Sequence, residues 1–153
     1  MIEQDTIRLL RECDAGVKMG TASMEEVLVL SAKSEVLDRV ENDQFREYLK
    51  SSRAEHEALN TEIESLLDRY HDEGKEPGPI AKGMSWMKTN LKLGMDGSDR
   101  TIAALMTDGC GMGVKTLNQY LNQYQAADEA SKDIAKRLIR LEEQLAVEIR
   151  RFL

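Results

Sequence analysis

The side chains in this 153-residue chain with the widest chemical range are two cysteines, one histidine inside a helical pattern, and a run of glycines around the second cysteine. His56 sits in the series Phe45, Leu49, Ser52, His56, Leu59, Ile63, Leu66 and Tyr70, whose spacing of three and four places it on an apolar helix face. A histidine there is expected to be a core residue, hydrogen-bonded through its ring nitrogens. Cys110 and His56 are the residue types of a nucleophile and its base, but no third group to orient the base is indicated. A cysteine between glycines reads as inert packing. Cys13, Cys110, Met84, Met87, Met106 and Met112 are sulfur residues near the expected centre, the donor type that suits copper(I). There is no Cys-x-x-Cys, however, and methionines in a helical protein mostly fill gaps in the core. The glycines from Gly109 to Gly113 lie inside a helical pattern, not between a strand and a helix, so they do not form a phosphate loop.

Helices are what must position these groups. Only two prolines occur, Pro77 and Pro79, and Glu, Lys, Leu, Ala and Met are abundant. No alternating β-branched run bounded by turns argues for a sheet. The length suits one domain, residues 1–153, with a core of its own. A formal charge of −7 argues against a general nucleic-acid binder. Neither a basic start with an apolar run nor a membrane-length apolar stretch is present. Two distant cysteines are no disulfide framework, so a cytoplasmic protein with reduced thiols is expected.

The first helix is expected from Ile2 to the high thirties, burying Leu10, Cys13, Val17, Gly20, Met24 and Val27 while Arg11, Asp14, Lys18 and Glu25 lie off that face. Thr21 to Ser23 is a weak spot for a kink. Asn42 or Asp43 caps the second helix, which runs to about Tyr70 and ends in the charged, Gly- and Pro-containing loop that follows. An amphipathic segment, Ile80 to Met95, carries Ile80, Met84, Met87, Leu91 and Met95 on one face. With Trp86 and Lys82, Lys88 and Lys92 it is read as a crossover packed on the bundle, the other possibility being a surface helix for a membrane or partner. Ser98 or Asp99 caps a third helix from about Arg100 to Gln125, and Asp128 caps a last one with Ile134, Leu138, Leu141, Leu145, Ile149 and Phe152 inward.

Cys13-x-x-Gly16-Val17-Lys18 and Cys110-x-x-Gly113-Val114-Lys115 repeat one another, as does the spacing Gly16-x-x-x-Gly20 and Gly109-x-x-x-Gly113. The repeat predicts two helical hairpins facing each other, with both cysteines buried near the middle of the bundle. Small residues one turn apart predict a close helix crossing at Gly113, which a leucine would overpack. Gly74, in the charged loop, is expected to be exposed and tolerant.

The Cys-x-x-Gly opening at Cys13, the His56-x-x-Leu59-x-x-Glu62-Ile63 segment, the loop at Pro77, the Gly83-Met84-Ser85-Trp86-Met87-Lys88 crossover and the third helix with Cys110 and Gly113 together resemble a bacterial ferritin-like four-helix-bundle domain of unknown function. The resemblance covers nearly the whole chain. It implies an all-α bundle of two helical hairpins joined by a long crossover containing a short helix, and it implies no activity. The wider ferritin-like group also suggests a dimetal carboxylate site: one Glu from each of two helices and a Glu-x-x-His pair from each of the others. Here Arg53 stands three before His56, Glu143-x-x-Ala146 lacks the histidine, and Val17 and Val114 occupy the positions of the single acids. Glu55, Glu62, Glu142, Glu143 and Glu148 remain. The best surviving set for iron or manganese is His56 and Glu62 with Glu143 or Glu148 from the last helix. The expectation is therefore a non-catalytic helical bundle that binds a protein partner or itself and holds no cofactor. The alternative is a degenerate metal-binding bundle using iron or manganese, or copper through Cys and Met.

Overall fold

A computed structural model of the chain describes residues 2–33, 40, 42–75 and 98–153, without the side chains of residues 29–33. Among these lie four helices, α1 (Ile2–Lys33), α2 (Asp43–Asp68), α3 (Asp99–Gln123) and α4 (Glu129–Ile149), a closing 3-10 turn at Arg150–Phe152, and no strand. They pack as a bundle. The expected amphipathic segment Ile80 to Met95, with Trp86, falls outside the described residues.

Each expected cap is made. Asn42 Oδ1 accepts from Gln44 N and Phe45 N at 2.9 and 3.1 Å, Ser98 Oγ from Thr101 N at 3.3 Å, and Asp128 Oδ1 from Ser131 N at 2.8 Å. Such side chains satisfy amide donors that the first turn of a helix leaves free. α1 passes Thr21 to Ser23 as continuous helix, and Thr21 Oγ1 and Ser23 Oγ donate back to the carbonyls of Val17 and Met19. α2 stops before the loop glycine. Asp72 N donates to Leu67 O and His71 N to Asp68 O, and His71 takes the left-handed φ of 54° that this closure requires.

Hydrogen bonds between the ends give the helix directions. Asp5 Oδ2 and Thr6 Oγ1, in the first turns of α1, accept from Ala126 N and Asp128 N in the α3–α4 turn. At the other end Asn42 N, at the start of α2, donates to Asp99 Oδ2 at the start of α3. α2 and α3 therefore run the same way, antiparallel to α1 and α4. α1 packs chiefly on α2 and α3 on α4, while α1 and α3 touch little.

The core divides into two apolar clusters. One holds Met24, Val27, Phe45, Leu49, Ile102, Met106, Cys110, Leu145 and Ile149. The other holds Leu9, Leu10, Cys13, Val17, Leu59, Ile63, Leu117, Ile134 and Leu138. All four helices pass from one cluster to the other at the same level: α1 between Val17 and Met24, α2 between Leu49 and Leu59, α3 between Cys110 and Leu117, α4 between Ile139 and Leu145. The residues in that interval are Gly20, Ser52 with His56, Gly113 and Glu142.

Two expectations about the core are corrected. Both cysteines are buried, but in different clusters: α1 and α3 are antiparallel, so equivalent positions of the sequence repeat fall at different heights. Asp14, expected on the outside of α1, is 1% exposed. Its carboxylate accepts from Lys18 Nζ at 2.8 Å, Asn60 Nδ2 at 2.9 Å and Lys75 N at 3.0 Å, three donors that offset its desolvation. Gly74, far from being a free loop residue, lies against this carboxylate with φ of 86°, and a Cβ there would stand 2.3 Å from Asp14 Oδ2.

Candidate functional site: a polar layer and a glycine-lined cleft

α2 presents His56 inward because Ser52, His56, Leu59 and Ile63 recur three and four apart on its buried face. α4 presents Glu142 by the same arithmetic, four after Leu138 and three before Leu145. The two side chains meet: His56 Nε2 lies 2.9 Å from Glu142 Oε1, with the imidazole fully buried and the glutamate side chain 12% exposed. The other ring nitrogen, Nδ1, donates to the carbonyl of Ser52 at 2.7 Å. A carbonyl only accepts, so Nδ1 must carry a proton, and an ionised Glu142 requires one on Nε2 as well. The arrangement therefore favours the imidazolium. Burial by itself would lower the affinity of His56 for that proton. The hydrogen bond to Glu142, the charge of that carboxylate, the Ser52 carbonyl and the charge of Glu55 outweigh burial and raise the pKa above its ordinary 6.5.

Cys110 is a neighbour of Glu142. Its thiol pKa is raised, by burial first and then by the neighbouring carboxylate. Burial, with help from Glu12 and Asp14, pushes Cys13 up to about 12. Neither thiol has the electropositive surroundings that would make it a thiolate at neutral pH. With Cys110 a stabilised thiol and both nitrogens of His56 engaged, the pair does not form a nucleophile and its base.

The acid that meets His56 is Glu142. Glu62 points outward and binds Arg137 with both carboxylate oxygens, at 3.0 and 2.5 Å, which lowers its pKa. Glu143, one residue and so roughly 100° round the helix from Glu142, is exposed. Glu148 is half-buried and accepts from Gln144 at 2.9 Å. The set His56, Glu62, Glu143 and Glu148 is thus not brought together. Among the described residues no three His, Cys, Asp or Glu side chains stand close enough to hold a metal ion. One imidazole and one carboxylate, bonded to each other, do not fit the donor set of a dimetal carboxylate centre. Val17 is buried in the second cluster and Val114 packs at its edge, adding no donor.

The glycines do not make the tight crossing expected of them. A Cβ on Gly16 would meet Leu138 at 3.7 Å, one on Gly113 would meet Glu142 at 3.7 Å, and one on Gly111 would meet nothing within 4 Å. All of these lie beside side chains of α4 or open space, and none touches a facing backbone. Gly16, Gly20, Gly109 and Gly113 instead line a cleft of about 460 Å³ between α1 and α3. Met24, Leu105, Met106 and Leu145 wall it at one end and Glu12, Lys75 and Tyr120 at the other, with Cys110 and Glu142 between. Met19 and Met112, 41% and 51% exposed, stand at its edges. Lys75 Nζ pairs with Glu12 at 2.5 Å.

No family model matches the chain, and neither a curated protein nor a solved structure proves similar to it.

Proposed function

We propose that the protein is a non-catalytic binding bundle whose cleft between α1 and α3 receives an elongated apolar small molecule. The observation that carries this is the cleft itself. Close-packed interiors leave few voids larger than a water molecule, whereas ligand sites span roughly 300–1,000 Å³. Each helical glycine costs about 1 kcal/mol relative to alanine. Gly109 and Gly113 line the cleft, and a Cβ on Gly113 would meet only the Glu142 side chain, so their cost has a purpose if the space is used. Full engagement of His56 and the raised thiol of Cys110 support the non-catalytic part.

We read the connectivity, with α2 and α3 parallel, as ferritin-like, and the protein as cytoplasmic. Among the described residues no helix is long and apolar enough to cross a membrane. The alternative, a degenerate metal-binding bundle, would have to open the His56–Glu142 pair to free donors for an ion.

The test is titration with the neutral apolar dye N-phenyl-1-naphthylamine, together with metal analysis of protein purified without an affinity tag. One dye site is expected, abolished by Gly113→Leu in a protein of unchanged helical content. No binding, or binding indifferent to that substitution, overturns the cleft as a ligand site. Stoichiometric iron or manganese, with a metal-dependent rise in Tm lost in His56→Ala, would establish the metal-binding bundle instead.

A further inference from the structure

The cleft's polar atoms narrow the class of ligand. Its lining charges are matched: Glu12 pairs with Lys75, and Glu142 pairs with His56 behind the wall. An ionic ligand would find no unmatched counter-charge among these groups. Glu142, however, has acceptor capacity to spare. A carboxylate offers about four lone-pair sites over two oxygens. His56 Nε2 takes one at Oε1, and the neighbouring Cys110 thiol is at most a weak donor. Glycines flank the carboxylate on both sides of the cleft. A Cβ on Gly20 would lie 3.5 Å from Oε1, and one on Gly113 would lie 3.8 Å from Oε2. Any larger residue at either position would stand between the carboxylate and the cleft. The absence of both side chains leaves Glu142 accessible at the middle of an otherwise apolar wall about 18 Å long, from Glu12 to Met24 at 1.5 Å per residue.

We infer that the cleft takes an uncharged, elongated apolar molecule bearing one hydrogen-bond donor, a hydroxyl or N–H, that meets Glu142 between Gly20 and Gly113. This rests on the cleft being a ligand site and adds what that site selects. A desolvated carboxylate lone pair left without a donor is costly, so the site discriminates against an analogue that fills the same volume and donates nothing.

The experiment compares 2-naphthol with naphthalene and 2-methoxynaphthalene as competitors of the bound dye at neutral pH. The methoxy compound keeps the oxygen and removes the donor. 2-Naphthol is expected to bind roughly tenfold or more tightly than either. Glu142→Leu should abolish the preference. Gly20→Ala, which keeps the His56–Glu142 pair and adds one methyl group beside it, should reduce it if the first variant does not fold. Equal affinity of all three compounds overturns the inference and leaves the cleft as an apolar site. Failure of all three to bind removes the proposed function with it. So does a dimer that dissociates on Gly113→Leu, which would assign the cleft to a second copy of the chain.

Discussion

Alanine at Gly74 and alanine at Gly113 should act in opposite directions, against what their surroundings in the sequence suggest. At Gly74 the backbone has φ of 86°, and a left-handed conformation costs an L-residue about 1–2 kcal/mol. The added Cβ would stand 2.3 Å from Asp14 Oδ2, the oxygen that accepts from Lys18 Nζ and Lys75 N. No arrangement keeps all three atoms in place. Moving a buried carboxylate off one charge-assisted bond costs about 1.5–3 kcal/mol more. Gly74→Ala should therefore destabilise by about 3–5 kcal/mol. At Gly113 the nearest atom to a new Cβ is Glu142 Cδ at 3.7 Å, an ordinary contact, and alanine recovers up to about 1 kcal/mol of helix propensity. Urea denaturation read by far-UV circular dichroism measures both. For a chain of this size about 1 kcal/mol moves Tm by roughly 2–4 °C, so the two variants should melt roughly 6–24 °C apart. Combining Gly74→Ala with Asp14→Asn should give less than the sum of the two, because the pair shares one contact. A Gly74→Ala protein as stable as its parent, or a Gly113→Ala protein less stable than Gly74→Ala, would refute the account of both glycines.

The His56–Glu142 pair predicts a pH dependence of definite sign. The folded-state pKa of His56 is raised above 6.5, so its stabilisation is complete below the unfolded value and is lost as pH rises through the folded one. Stability measured from pH 6 upward should fall with a slope that His56→Gln removes, and a parent protein whose stability rises over that window would contradict the assignment. Both thiols should resist a disulfide reagent in the native protein and react on unfolding, since burial pushes Cys13 up to about 12 and raises Cys110 as well. Rapid labelling of Cys110 in the folded state would mean that the wall of the cleft is not as described.

What the sequence makes legible is what depends on neighbours in the chain. The caps at Asn42, Ser98 and Asp128 and the buried faces of α2 and α4 follow from local hydrogen bonding and a period of 3.6 residues. Asp14 was not legible, because the partners that make its burial tolerable, Asn60 and the amide of Lys75, arrive from distant parts of the chain. Gly74 inherits that difficulty. The choice of Glu142 over Glu143 was within reach: only position 142 sits four after Leu138 and three before Leu145. The close crossing expected at Gly113 is a cleft instead, for a physical reason. Glycine spacing shows where side chains are missing, and it does not say whether a backbone, a side chain or a ligand uses the room.

The polar layer also counts turns. Apolar clusters above and below it are built from interchangeable Leu, Ile, Val and Met, and such surfaces can slide past one another by a helical turn with modest loss. A slide of α4 by one turn, about 5.4 Å, would carry Glu142 out of reach of His56. It would leave a buried charge without its partner, at a cost of about 3–5 kcal/mol. The pair thus sets the register of α2 against α4, much as a single buried polar residue does in a coiled coil. A variant with both His56 and Glu142 replaced by leucine should then keep its helices while losing a unique alignment between them.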